Sequence, residues 1–195
     1  MPVLPAPSPM SAPHLGAKPR LFPGWRWAAV ALAFPIAGLI GRGVGGDVDA
    51  VGAALVGGAL TGGGLGAAQW LAARDMFGQW PVWVGASAVG YGVGLVAGAA
   101  LVHYETDLGS LAAMGAVSGA VLGAGQGLAL AAQGRKRLAV AWGVAMPALL
   151  AIGWTVTTLG GIDVDQQFTV FGAYGAVVFT LLSGLLLARF MPAQE

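Results

Sequence analysis

The chain of 195 residues contains no cysteine and little charge, since only 9% of its residues are Asp, Glu, Lys or Arg. The absence of cysteine excludes disulfide bonds, thiol catalysis and thiolate metal sites. Soluble domains carry about 25% charged residues, and a chain with far fewer cannot cover its surface in water. Because 57% of its residues are hydrophobic, the sequence predicts an all-α integral membrane protein.

Motifs that carry catalysis are also lacking. The sequence shows no metal-ligand cluster, phosphate-binding loop or paired nucleophile and base. Residues 115–119 (GAVSG) place Ser118 near glycines, as in the rhomboid intramembrane proteases. Their glycine-x-serine-glycine spacing differs, however, and no histidine follows His103 to activate the serine. We therefore expect a protein that is not an enzyme, has no cofactor and does not bind nucleic acid.

Six apolar stretches are each long enough to cross the hydrocarbon core, which takes about 20 residues. They cover residues 25–44, 50–73, 80–104, 109–133, 138–159 and 168–190. Residues 1–24 contain seven of the eleven prolines and are predicted to form a disordered cytoplasmic tail. Residues 25–195 are predicted to form one domain of six transmembrane helices.

The distribution of positive charge predicts the topology. With the amino terminus in the cytoplasm, eight of the nine basic residues lie on the cytoplasmic side and only Arg42 lies outside. Both termini are therefore predicted to be cytoplasmic, in the plasma (inner) membrane. Five tryptophans at the cytoplasmic ends of the odd-numbered spans are expected to form an interfacial aromatic belt: Trp25, Trp27, Trp80, Trp83 and Trp142.

An acidic pair recurs three times, and each pair begins 58 residues after the one before it. The pairs are Asp47 and Asp49, Glu105 and Asp107, and Asp163 and Asp165. A constant interval is the signature of an internal repeat. The sequence therefore predicts three helical hairpins, at approximately 25–74, 80–133 and 138–190, related by a pseudo-three-fold axis along the membrane normal.

The repeat continues inside the even-numbered spans at an interval of 57 residues. Each carries a stripe of small residues that ends in a polar side chain. The three stripes are Gly58, Gly62, Gly66 and Gln69; Gly115, Gly119, Gly123 and Gln126; and Gly172, Ala176, Thr180 and Ser183. Because small residues allow close helix packing in lipid, the even-numbered helices are expected to form an inner ring.

Two interpretations stay open for the polar positions. The six acids could form an outer ring that binds a divalent cation through carboxylate oxygens, or they could cap the helices that follow. Gln69, Gln126 and Ser183 could line a narrow path, or they could form hydrogen bonds between helices.

Residues 62–71 (GGGLGAAQWL) form a glycine-rich stretch that ends in Gln-Trp-Leu and is followed by Arg74. The segment resembles uncharacterised bacterial multi-pass membrane proteins in which a glycine stripe leads into Gln-Trp-Leu and an arginine at the membrane edge. Residues 119–128 repeat the pattern with Gly127 in place of the tryptophan. The resemblance implies a multi-pass fold and no particular activity.

Two functional classes fit these features. The first is a non-enzymatic scaffold or accessory subunit that contacts the lipid bilayer and other membrane subunits. The second is a small channel or transporter for a cation or small solute. A charged residue at mid-membrane depth would favour transport. No charged residue lies near the middle of any predicted span, so the scaffold is the preferred prediction.

Overall fold

The computed structural model describes residues 24–162 and 168–190, and these residues are helical apart from turns and one irregular segment. The helices are α1 (Gly24–Gly45), α2 (Val51–Phe77), α3 (Trp80–Leu101), α4 (Leu108–Ala132), α5 (Lys136–Leu159) and α6 (Ala173–Ala188). The first five are long and apolar enough to cross a membrane, and α6 is apolar but shorter, with 16 residues. The all-α prediction is confirmed, while the predicted tail lies, except for Gly24, outside the described residues.

The helical type changes within α1, one turn before Pro35. The helix is α-helical over Gly24–Ala29, forms a 3-10 turn over Val30–Leu32 and is α-helical again over Ala33–Gly45. Pro35 has no backbone N–H, so the turn before it loses one hydrogen bond of the ladder. The change of type therefore lies one turn before the proline.

The six helices form a closed ring. Each helix packs against the next helix in the chain, and α6 packs against α1. Aromatic side chains fill the interior: the ring of Phe34 lies 5.1 Å from that of Phe171 and 5.2 Å from that of Phe179. Tyr91 of α3 is also buried. The centre of the ring is therefore a packed core.

The glycine stripes bring neighbouring helices of this ring together. A Cβ atom at Gly62 of α2 would lie 2.6 Å from the Cβ of Tyr91 on α3, and one at Gly119 of α4 would lie 2.8 Å from the Cα of Pro147 on α5. The stripes of α2 and α4 thus face the odd-numbered helix that follows. The predicted inner ring of even-numbered helices is not confirmed, because α3 also contributes a glycine, Gly94, which lies against Ser118.

The helix of the sixth predicted span begins later than expected, at Ala173. The first five residues of that span, 168–172, are not helical, so the prediction of a helix from Phe168 onward is wrong. Thr169 and Phe171 of this segment are buried. The hydroxyl of Tyr91 donates to the Thr169 carbonyl at 2.8 Å, and the hydroxyl of Thr61 donates to Thr169 Oγ1 at 2.9 Å. Irregular backbone persists at membrane depth only where protein groups satisfy it, and these contacts supply that requirement.

The outside of the ring is apolar. Large aliphatic side chains from several helices are more than half exposed there, among them Leu32, Leu39, Leu71, Leu128 and Val144. Soluble monomers rarely expose continuous apolar surface on this scale. This surface suits a membrane-embedded protein.

Candidate functional site

A buried polar cluster centred on Gln126 joins four helices. Its Nε2 donates to Gln69 Oε1 on α2 at 3.2 Å and to Ser87 Oγ on α3 at 2.8 Å. Its Oε1 accepts from Trp142 Nε1 on α5 at 2.7 Å. Both ends of the Gln126 amide are therefore occupied. The structure brings two of the three predicted polar residues into direct contact.

Ser183 is also buried, but its hydrogen bonds connect other elements. Its hydroxyl donates to the Phe179 carbonyl within α6 at 2.7 Å. It accepts from Trp27 Nε1 of α1 at 3.3 Å, and the same indole N–H donates to the Thr180 carbonyl at 3.0 Å. Ser183 therefore helps to join α6 to α1.

Three tryptophans, one from each odd-numbered helix, surround Phe77 at the end of the ring that contains this polar cluster. The Phe77 ring stacks on Trp83 at 3.9 Å and lies 5.8 Å from Trp27 and 5.7 Å from Trp142. All four side chains are buried. The predicted aromatic belt is therefore wrong for Trp27, Trp83 and Trp142, whose rings close the interior.

The other two predicted belt residues are placed differently. Trp25 is 74% exposed and Trp80 is 58% exposed. These two side chains remain free to lie at an interface, as the prediction requires. The end of the ring that holds the five tryptophans is called the tryptophan end below.

A small cavity of about 20 Å³ lies at the centre of the ring. The polar side chains of Gln69, Ser87 and Gln126 line one part of it, and aromatic side chains such as Tyr91 and Phe179 line another. Such a volume is enough for about one water molecule.

The described residues of the acidic pairs lie at the opposite end of the ring: Asp47, Asp49, Glu105 and Asp107. Asp47 Oδ1 accepts from Arg42 Nε at 2.6 Å. Asp107 Oδ1 accepts from the backbone N–H groups of Gly109 at 2.8 Å and Ser110 at 3.1 Å. The capping interpretation is confirmed for Asp107, the N-cap of α4.

The capping interpretation is wrong for the first pair, because the N-cap of α2 is Ala50, which provides no side-chain hydrogen bond. Asp49 and Glu105 are exposed. In the chain as far as it is described, no three His, Asp or Glu side chains are arranged to hold a metal ion. Asp163 and Asp165 lie outside the described residues.

The cap at Asp107 predicts a dependence of stability on pH. Hydrogen bonds from Ser110 and Gly109 hold the pKa of Asp107 below its usual value. A lowered folded-state pKa stabilises the protein above the ordinary pKa of aspartate, and this stabilisation is lost as pH falls through the lower value. We expect Asp107→Ala to lower the melting temperature at pH 7, with a difference from the parent that shrinks below about pH 4.

Melting curves of the parent and Asp107→Ala in mild detergent, recorded from pH 7 downward, measure this effect. Asp49→Ala is the matched control, since Asp49 caps no helix, and it should melt close to the parent. A loss at Asp107→Ala that stays constant at every pH would contradict the role of the carboxylate charge.

Sequence reasoning does not single out Ser87, Tyr91 or Thr169, which make buried contacts in the ring. A usable signal exists for two of them. Ser87 and Tyr91 carry the two side-chain hydroxyls of α3, and a polar group inside an apolar span needs a protein partner. Thr169 offers a weaker signal, since it is the second residue of the predicted span 168–190, where water could satisfy its hydroxyl.

Comparisons with protein-family models, curated proteins and solved structures found no match to the chain. The contacts of its own residues therefore carry the functional argument.

Proposed function

We propose that the chain is a non-enzymatic multi-pass membrane protein that acts as a scaffold or accessory subunit of a larger membrane complex. The observation that supports this function best is the filled interior of the ring. Phe34, Phe171 and Phe179 pack together in it, and the cluster around Phe77 closes the tryptophan end. A protein with such an interior offers its outer surface for contacts.

The proposed architecture is three helical hairpins related by pseudo-three-fold symmetry. Equivalent hydrogen bonds support the first two: the Thr61 hydroxyl donates to the Ala37 carbonyl at 3.3 Å, and the Ser118 hydroxyl donates to the Gly94 carbonyl at 3.1 Å. Each bond spans 24 residues, and the donors lie 57 residues apart. Gly175 lies a further 57 residues on and packs against Gly153 of α5.

The proposed location is the plasma (inner) membrane with both termini in the cytoplasm. The exposed bases Arg135, Lys136 and Arg137 at the tryptophan end support this orientation. Single cysteines are clean probes because the chain has none of its own. An impermeant thiol reagent added outside cells should label Ala50→Cys and leave Ala132→Cys unlabelled. The reverse pattern would show that the protein has the opposite orientation.

Photocrosslinking from the outer surface tests the proposed function. A photoreactive amino acid would replace one exposed residue at a time, at Leu39 on α1, Leu128 on α4 and Val144 on α5. An accessory subunit should crosslink to one defined protein from one face of the ring and to lipid from the others. The inward-facing Met146 is the control position and should give neither product. Crosslinks to lipid alone from every outer position would contradict the proposal.

A transporter is the second candidate, and the irregular backbone before α6 favours it. Discontinuous helices near the membrane midplane are typical of secondary transporters, where the irregular backbone forms the binding site. The buried segment 168–172 is irregular backbone of this kind, although it precedes α6 and does not divide a helix. Purified protein in sealed liposomes would be assayed for uptake of cations and small neutral solutes. If the protein takes up a solute and Thr169→Val abolishes this uptake, the transporter hypothesis would replace the scaffold hypothesis.

A further inference from the structure

The side-chain amides of Gln126 and Gln69 have a fixed orientation, because one of their partners can only donate. The indole Nε1 of Trp142 is a donor without acceptor capacity, so the Gln126 atom that faces it at 2.7 Å is Oε1. The Nε2 of Gln126 therefore points the other way, where it donates to Ser87 Oγ and to Gln69 Oε1. Since Gln69 Oε1 accepts this bond, the two N–H donors of Gln69 Nε2 are left over.

These two donors have no acceptor within residues 24–162 and 168–190. Gln69 is only 3% exposed and lines the small cavity at the centre of the ring. Four buried polar atoms of the described chain are both unpaired and fully enclosed, and Nε2 of Gln69 is not among them. It therefore borders open space, which for this buried residue is the central cavity. Unpaired buried donors are rare in folded proteins, so the donors of Gln69 call for an acceptor inside the cavity.

Two hydroxyl oxygens of α3 can accept a hydrogen bond at the same cavity, which Ser87 and Tyr91 also line. Each hydroxyl already donates its proton, that of Ser87 to the Trp83 carbonyl and that of Tyr91 to the Thr169 carbonyl, both at 2.8 Å. A hydroxyl oxygen can also accept, and Ser87 Oγ has room for a second donor besides Gln126. The cavity is thus lined by a donor group without an acceptor and by oxygens that can accept more.

We infer that the central cavity holds one water molecule, which accepts from Gln69 Nε2 and donates to the hydroxyl oxygens of Tyr91 and Ser87. The volume of about 20 Å³ suits a single water, and these three groups fall within the range of about two to four polar partners that a buried water needs. Tyr91 also donates to the irregular segment 168–172. The water therefore joins the polar cluster around Gln126 to that segment.

NMR cross-relaxation between water and the protein, labelled with ¹⁵N in its glutamine side chains and purified in mild detergent, tests the inference. The side-chain amide protons of Gln69 should give a cross peak to water, with the rotating-frame sign of dipolar contact and not of proton exchange. A water held inside the protein stays long enough to give this signal. The exposed amide of Gln79 meets only fast-moving water and is the control without a dipolar peak. Absence of the dipolar peak at Gln69 in the parent would overturn the inference.

Tyr91→Phe tests the proposed bridge, because it removes one acceptor of the water and keeps the aromatic ring. The dipolar peak at Gln69 should be lost or strongly reduced in this variant. Thr61→Val is the matched control: it also removes a hydrogen bond to Thr169, but Thr61 lies outside the cavity wall, so the peak should equal that of the parent. An unchanged peak in Tyr91→Phe, or an equal loss in both variants, would contradict a water held by Tyr91.

Discussion

Replacing Gly119 by leucine is expected to lower the free energy of unfolding by about 3 kcal/mol or more, at the upper end of the range for overpacked cores. A side chain at this position has no space, because its Cβ would overlap the Met146 carbonyl oxygen and lie 2.8 Å from the Cα of Pro147. Both obstacles belong to backbone, which cannot rotate away as a flexible side chain could. Helices α4 and α5 would have to separate along this contact.

The neighbouring residue Ala120 provides the control, since it lies on the same helix and is exposed. Ala120→Leu should leave the thermal unfolding in mild detergent close to that of the parent. Gly62→Leu on α2 should behave like Gly119→Leu, because a Cβ there would lie 2.6 Å from the Cβ of Tyr91. Unchanged melting temperatures for both glycine variants would mean that close packing of α2 on α3 and of α4 on α5 is not what holds the ring together.

Gln126→Leu is expected to have the second largest effect, a loss of about 2 kcal/mol. An average hydrogen bond between membrane helices contributes only about 0.6 kcal/mol, but leaving a buried group unpaired costs about 1–3 kcal/mol. The second effect dominates here, because leucine leaves Trp142 Nε1 without its acceptor and Gln69 Oε1 without its donor. Ser87 suffers less, since its hydroxyl donates to the Trp83 carbonyl.

A double-mutant cycle isolates this effect. Trp142→Phe removes the indole N–H that donates to Gln126 and keeps the ring beside Phe77. If the two residues stabilise the fold through their contact, the double variant should be more stable than the sum of the two single losses predicts. Gln79→Leu, at an exposed position, controls for the change of residue type. Strict additivity would show that the hydrogen bond contributes nothing measurable.

The sequence predicts the helices better than it predicts their faces. Long apolar runs bounded by acidic pairs or glycine locate α1 to α5, since few other structures are possible in lipid. The rotation of each helix is harder, because apolar residues occur on every side of it. Trp25 and Trp27 illustrate this: the first is 74% exposed and the second 2%. The packing of α6 determines which of the two is buried, because the Trp27 N–H donates to the Thr180 carbonyl and to Ser183 Oγ on that helix.

The irregular segment 168–172 was beyond prediction for a similar reason. Phe168, Val170 and Phe171 are apolar, and an apolar stretch joined to a helix reads as more helix. What prevents helix formation is the set of partners that hold Thr169, namely Thr61 and Tyr91. These lie 108 and 78 residues away in the chain, so no local pattern reports them.

The contact between Trp27 and Thr180 spans 153 residues, and this separation has a consequence for biogenesis. During synthesis the first helix enters the membrane long before its partner has left the ribosome. Until then the Trp27 N–H lacks the acceptor that it has in the finished protein, and the growing bundle has an open seam. Completion of the bundle therefore depends on its last-made helix, and a chain that ended before residue 173 would present this seam to the lipid and to the cell's quality control.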